Sequence, residues 1–165
     1  MRNKILLLSA YDASSHKLWR RRLLQLFPQL NWTQLALPPR HFNWRIRGNS
    51  LQWATTELKT LNQPYDLLIV TSMVDLSSLR GFVPALSKIP TLIYFHENQF
   101  AYPAGEQHRE NVEHQLVPLY SALCADVVVF NSQFNRQTFL EGARSIIQRL
   151  PEKFPDSILG KLQNS

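Results

Sequence analysis

The residues best suited to chemistry stand together in one short stretch, directly after an apolar run. Leu92 to Phe95 is the apolar run, and His96, Glu97, Asn98 and Gln99 follow it. An imidazole and a carboxylate can move a proton or orient a hydroxyl, whereas the two amides can only donate or accept hydrogen bonds. Because adjacent side chains on an extended backbone point apart, we do not expect His96 to contact Glu97 directly. A buried strand with polar residues at its carboxyl end is typical of a binding edge in an open α/β sheet, and an ordinary polar turn is the alternative.

Polar residues follow two other predicted strands in the same way. Ser15 and His16 lie between the first strand and the first helix, where backbone amides favour a phosphate; simple helix capping is the alternative. Asn131 and Ser132 follow the last strand. If the strand order is 3-2-1-4-5, the loop with His16 and the loop with His96 line a single crevice.

The elements that must position these residues alternate along the chain. Predicted strands cover Ile5–Leu8, Trp32–Leu37, Asp66–Val70, Thr91–Phe95 and Asp126–Phe130. Predicted helices end near Phe27 and cover Leu51–Leu61, Leu76–Leu86, Glu106–Leu123, Gln133–Leu150 and Pro151–Lys161. Strands alternating with helices imply an α/β fold, a Rossmann-like parallel sheet of about five strands with helices on both faces.

A basic segment lies between the second strand and the second helix. It interleaves Arg40, Arg45 and Arg47 with Phe42 and Trp44. Cations follow phosphates and aromatic rings stack on unpaired bases, so the pattern predicts a loop that contacts single-stranded RNA. The alternative is a loop whose aromatic residues pack under the edge of the sheet.

The charge distribution also favours a polyanionic partner. The chain has 165 residues and a formal net charge of +6, but residues 1–50 carry +8 and the remainder −2. This asymmetry suggests nucleic acid or phosphorylated ligands, and a solvated basic face is the alternative.

Several classes of site are not indicated. The single cysteine, Cys124, offers neither a disulfide nor a cysteine-based zinc site. His108 and His114 lie six residues apart, which is the wrong spacing for a shared metal on a helix, and we expect both to be exposed. No apolar run approaches the roughly 18 residues of a membrane span, and the start of the chain is a poor signal peptide. We therefore expect a cytoplasmic protein with no bound metal and no membrane partner.

Five motifs, in this order, closely resemble the amino-terminal domain of the tRNA-queuosine alpha-mannosyltransferases. They are LLLSAYDASSHK, LPPRHFNWRIRG, TSMVDLSSL, IYFHENQFAYP and ADVVVFNSQFN. The resemblance runs from the first strand to about Pro155, and FHENQ and NWRIRG are its most specific phrases.

The resemblance implies the N-terminal half of a GT-B glycosyltransferase, with two Rossmann-like domains facing each other across a cleft. The family transfers mannose from GDP-mannose to queuosine in the anticodon of an aspartate tRNA, with the nucleotide sugar as donor substrate and no further cofactor. In such enzymes the amino-terminal half mainly holds the acceptor. Residues 1–165 are therefore expected to form the acceptor-side domain, with the C-terminal donor domain absent from this chain. Three alternatives are open: the chain is a fragment, the other half is a separate partner chain, or the other half has been lost. Alone, the chain is expected to show little or no turnover.

The resemblance also assigns expected roles to single residues. His96 and Glu97 are the expected catalytic residues, orienting the acceptor hydroxyl or the departing diphosphate. The expected substrate-binding residues are Ser15, His16, Asn98, Asn131 and Ser132. The expected tRNA-binding residues are Arg40, Trp44, Arg45 and Arg47.

One departure from the family pattern concerns the first of these loops. The family usually has glycine before Ser-His, whereas this chain has Ala13-Ser14-Ser15-His16, and a side chain there hinders close approach of a phosphate to the backbone.

Two other functions remain open: a basic RNA-binding module without catalysis, and the acceptor half of a different GT-B enzyme.

Overall fold

The chain folds into a five-stranded parallel sheet flanked by helices. The computed structural model describes residues 3–101, 112–155 and 157–163. The strands are β1 (Lys4–Ser9), β2 (Asn31–Ala36), β3 (Leu67–Thr71), β4 (Thr91–Phe95) and β5 (Val127–Phe130). The helices are α1 (Ser14–Leu26), α2 (Phe42–Thr56), α3 (Leu58–Leu61), α4 (Leu76–Phe82), a 3-10 helix (Pro84–Lys88), α5 (Glu113–Cys124), α6 (Gln133–Arg149) and α7 (Ser157–Gln163). The predicted α/β class, parallel sheet and strand number are confirmed.

The predicted strand order is wrong. The order is β2-β1-β3-β4-β5, so β3 lies between β1 and β4, which were expected to be neighbours. Strands buried on both faces read as uniform apolar runs, and nothing in such a run specifies which strand lies beside it. The error does not separate the two loops, because one intervening strand places β1 and β4 only two strand spacings apart, each of roughly 4.8 Å.

The two faces of the sheet are covered unequally. The connection from β1 to β2 runs in one direction along the sheet, and the later connections run in the other. Because parallel crossovers are right-handed, α1 must lie on one face and the helices between the later strands on the opposite face. Trp19 and Leu23 of α1 accordingly pack on Ile5, Leu7 and Ile69. The larger core on the other face includes Ile46, Trp53, Leu76, Leu119 and Phe139.

The basic segment is mostly helix, and its prediction as a loop is wrong. Helix α2 begins at Phe42, nine residues before the predicted start at Leu51. The buried Asn49 amide donates to the backbone oxygens of Arg45 and Met73, which ties the helix to the loop after β3. Ser50 lies inside this helix, and its hydroxyl donates to the carbonyl of Arg47.

None of the helices within the described residues is long and apolar enough to cross a membrane.

Candidate functional site

The loop after β1 and the loop after β4 meet at the carboxyl edge of the sheet, as predicted. The Nε2 atom of His16 lies 3.3 Å from Oε1 of Glu97. The imidazole of His16 also stacks on that of His96, with ring centroids 3.9 Å apart. His96 and Glu97 thus do not pair with each other, as expected, but both contact His16.

Helix α1 brings His16 into position. His16 lies in the first turn of α1 and is completely buried. One turn further along, Trp19 stacks on Tyr94 of β4 at 4.5 Å, and both rings make T-shaped contacts with His96. Packing between α1 and β4, across β3, therefore fixes both imidazoles.

The loop between β1 and α1 is held by an ion pair and not by a cap. Asp12 accepts hydrogen bonds from Nε and Nη2 of Arg20 at 2.9 and 2.7 Å. Burial raises the pKa of Asp12, but the hydrogen bond and charge of Arg20 outweigh it and hold the pKa below its ordinary value. The helix has Ala13 at its N-cap and no side-chain cap, so the capping interpretation of this loop is wrong.

The electrostatics of the cluster keep Glu97 ionised and His96 neutral. The hydrogen bond from His16 lowers the pKa of Glu97 against the effect of burial. Burial and the nearby His16 lower the pKa of His96 to about 4, against the opposing charges of Glu97 and Asp12. Because an ionised carboxylate only accepts hydrogen bonds, Nε2 of His16 carries the hydrogen between them.

Asn98 lies in a buried hydrogen-bond network. Its amide nitrogen is 3.0 Å from the carbonyl of Asn135 and 3.0 Å from Oγ1 of Thr138. Its amide oxygen accepts from the backbone N–H groups of Phe100 and Ala101 at 3.0 and 3.1 Å. These contacts use the hydrogen-bonding capacity of Asn98 to shape the loop after β4, leaving little for a substrate.

Asn131 and Ser132 join the end of β5 to the same loop. Asn131 donates to the carbonyl of His96 at 2.5 Å and accepts from Asn135 at 2.8 Å. Ser132 caps α6 by accepting from the backbone N–H of Asn135 at 3.1 Å. Both side chains remain exposed, so they can hold the loop and still reach a ligand.

A cleft of about 210 Å³ opens beside this cluster. It is lined by His96, Glu97, Asn98, Ala101, Asn131, Ser132, Phe134 and Asn135. Phe134 is 70% exposed at its edge and was not singled out from the sequence. Its position two residues after Ser132 was the available signal, because the first turn of α6 directly follows the polar end of β5.

Ser15 is placed apart from this cleft. It is exposed on the first turn of α1 and is not among the residues that line the cleft. Of the two residues expected in the first loop, only His16 reaches the cluster.

The four residues of the predicted tRNA-binding group do not form one surface. Arg40 and Trp44 are exposed, and Trp44 retains 58% of its accessible surface. Arg45 is only 5% exposed, and its Nη1 donates to Gln52 at 2.6 Å. Arg45 is therefore buried in α2, because it lies on the same face of the helix as the buried Asn49, four residues further on.

Arg47 is exposed but already paired. Its Nη1 donates to Oδ2 of the buried Asp75 at 3.0 Å, and its Nε lies 3.7 Å from Glu113. Arg40 and Trp44 are thus the members of the predicted group best placed for an RNA contact.

The expectation that both His108 and His114 are exposed is wrong for His114. His114 is buried in α5 and packs against the ring of Phe42. His108 lies outside the described residues. Among the residues that the structure does describe, no cluster of three or more histidine, cysteine or carboxylate side chains could hold a metal ion.

The fold and the cleft define a Rossmann-like α/β domain whose polar site lies where open parallel sheets bind their ligands. Residues 4–165 match the family model described as tRNA-queuosine alpha-mannosyltransferase N-terminal, and the chain belongs to this family. The resemblance seen in the sequence motifs is confirmed.

A curated relative supports the same assignment. The chain is 30% identical over 148 residues to a tRNA-queuosine alpha-mannosyltransferase of Drosophila melanogaster. The alignment covers 90% of this chain and 39% of the relative, so the chain spans well under half the length of that protein. No solved structure matches the chain.

Proposed function

We propose that this chain is the acceptor-side domain of a GT-B glycosyltransferase that transfers mannose from GDP-mannose to queuosine in the anticodon of tRNA(Asp). The observation that supports the proposal is the convergence of His16, His96 and Glu97 beside a cleft in a chain that belongs to the family described as tRNA-queuosine alpha-mannosyltransferase N-terminal. The donor would be bound mainly by a C-terminal domain outside this chain. In the cell, the enzyme would work on tRNA in the cytoplasm.

Within this proposal, the cleft receives the modified base. Glu97 and His96 line it and would orient the acceptor hydroxyl, and His16 would hold both in place. Because a carboxylate repels phosphate, the departing diphosphate would contact the neutral His96 and not Glu97. Asn131 and Ser132 would add hydrogen bonds at the mouth of the cleft.

The exposed basic side chains within residues 1–50 would attract the phosphate backbone of the tRNA. Lys17, Arg21 and Arg22 are exposed on α1, and Arg40 is exposed before α2. Cations of this kind contribute affinity without reading sequence. The ring of Trp44 would stack on an unpaired base of the anticodon loop.

A transfer assay tests the proposed function. The chain is combined with the C-terminal half of a family member and incubated with GDP-mannose and tRNA(Asp) that contains queuosine. A mannosylated tRNA, separated by gel mobility, is expected with the two parts together and not with either alone. Absence of product with GDP-mannose and with other sugar nucleotides, while both parts are folded, contradicts the proposal.

A second candidate is a basic RNA-binding module without catalysis. The concentration of positive charge in residues 1–50 is the observation that favours it. It predicts salt-sensitive tRNA binding that is the same with and without queuosine. A preference for the modified tRNA supports the enzyme domain instead.

A further inference from the structure

The cleft has the opposite charge to the chain around it. The chain as a whole carries +6, but Glu97 is the one charged side chain among the cleft-lining residues of the described structure. The other polar groups are amides, a hydroxyl and the neutral imidazole of His96. A positively charged protein with an anionic pocket can attract a polyanion to its surface and still select a cationic group inside the pocket.

The carboxylate is well prepared to bind such a cation. His16 is completely buried and holds Oε1 of Glu97 at 3.3 Å. The side chain of Glu97 keeps 35% of its accessible surface, on the side of the cleft. In the described part of the chain, His16 is the only residue that hydrogen bonds to Glu97, and it uses Oε1. The second carboxylate oxygen of Glu97, Oε2, is therefore available to a ligand.

We propose that Glu97 is the specificity-determining residue that binds the cationic secondary amine of queuosine. This inference depends on the proposed function and specifies how the acceptor would be recognised. Queuosine is a deazaguanosine whose side chain joins a secondary amine to a cyclopentene diol. An alkylamine is protonated near neutral pH, and unmodified guanosine has no such group.

The geometry of the cleft suits this binding mode. With the amine at Glu97, the adjoining diol lies next to His96, which lines the same cleft. The base plane can then contact the exposed ring of Phe134 at the edge of the cleft. Discrimination between modified and unmodified tRNA would therefore come from a charge and would not need a tight steric fit.

Binding measurements test the role of Glu97 without requiring catalysis. The chain is titrated with queuosine-containing tRNA(Asp) and with the same tRNA carrying guanosine at that position. We expect wild-type protein to favour the modified tRNA by about tenfold, the size of one charge-assisted hydrogen bond. Glu97→Gln should lose this preference and retain its affinity for the unmodified tRNA. Glu141→Gln is the matched control, because Glu141 is exposed on α6 outside the cleft, and it should behave as wild type.

A ligand-side measurement guards against a folding defect in the variant. The wild-type chain is titrated with 7-aminomethyl-7-deazaguanine, which carries a cationic amine, and with the neutral 7-cyano-7-deazaguanine. Tighter binding of the cationic base supports the proposal, and equal binding overturns it.

The outcomes separate this inference from the proposed function. Glu97→Gln protein that still prefers queuosine tRNA overturns the role of Glu97 and leaves the function standing. Wild-type protein that shows no preference for queuosine tRNA counts against both the inference and the proposed acceptor.

Discussion

At the scale of the residue, His96 makes stability depend on pH. Its pKa is about 4 in the folded protein, below the ordinary value of 6.5. Between these values the unfolded chain binds more protons than the folded one, so stability is full above pH 6.5 and falls as the pH drops toward 4. The pKa of Glu97 is lowered from its ordinary value of 4.5, so the stability that Glu97 contributes is lost only as the pH falls below 4.5. The interval from pH 6.5 to 4.5 therefore reports mainly on His96 among these two groups.

Replacement of His96 by phenylalanine should flatten this dependence. His96→Phe keeps an aromatic ring against His16 but cannot titrate. For wild type, we expect the free energy of unfolding measured with urea to decrease as the pH is lowered from 6.5 to 4.5. The decrease should be at most about 1 kcal/mol per pH unit after allowance for solvent screening. The variant should change much less over this interval. His41→Asn, at an exposed position, serves as control and should keep the wild-type slope. A variant with the full wild-type slope would show that another group is responsible.

Asn98 was expected to bind substrate, and its contacts predict a structural effect instead. Asn98→Ala removes the acceptor for two backbone N–H groups and the donor to Asn135. Leaving such groups unpaired costs roughly 2–4 kcal/mol in total, measurable by urea unfolding. Asn131→Ala should cost less, because Asn131 is exposed to water. Equal losses of stability in the two variants contradict this ranking.

The sequence predicted several of the residues that meet at the cleft, but it also included Ser15, which lies outside it, and did not include Phe134, which lines it. Polar residues at strand ends are sufficient to place His16 near His96, because parallel strands share one carboxyl edge. The same pattern cannot distinguish a side chain that faces a ligand from one that supports the backbone. Asn98 and Glu97 are both polar residues after β4, yet only the folded chain shows that one supports the loop and the other faces the cleft.

At the scale of the element, α6 supports the loop after β4 through a glycine. A Cβ atom at Gly142 would lie 2.2 Å from Cγ of Phe100, so the ring occupies the space that a side chain would need. Phe100 also contacts Phe139 of α6, with ring centroids 5.7 Å apart. The loop that carries Glu97 is therefore fixed at one end by His16 and at the other by this helix.

Replacement of Gly142 by alanine should disturb the loop. In an open helix position, alanine is favoured over glycine by about 1 kcal/mol, and Gly81→Ala should show this gain because nothing lies within 4 Å of the added carbon. Gly142→Ala should instead lose about 1–2 kcal/mol, because overpacking opposes the helical gain. Urea unfolding of both variants measures the difference, and a gain in stability for Gly142→Ala contradicts the packing argument.

The basic segment shows why some elements were not predictable from pattern alone. The start of α2 mixes apolar residues with two arginines, an asparagine and a glycine, so its apolar face is too weak to predict a helix. Tertiary contacts decide the outcome: Asn49 bonds to the loop after β3, and Arg47 pairs with Asp75. Both contacts join residues more than twenty positions apart, and no local pattern contains that information.

At the scale of the whole molecule, the uneven charge predicts two separable contributions to tRNA binding. Arg40 is exposed and outside the cleft. Arg40→Gln should weaken binding of modified and unmodified tRNA equally, and should reduce the slope of log affinity against log salt by about 1. The buried Arg45 is not a suitable comparison, so Lys88→Gln on the 3-10 helix is the control. A change in the preference for queuosine in Arg40→Gln would contradict the separation of surface attraction from recognition in the cleft.

The stacked imidazoles of His16 and His96 have a consequence for local opening. His16 belongs to the first turn of α1, and His96 directly follows β4. If that turn frays, the stack and the restraint on Glu97 are lost together, so these distant segments form one cooperative unit. A ligand that holds the carboxylate would also rigidify the start of the helix, so occupancy of the cleft would reduce local opening on the face of the sheet that α1 covers.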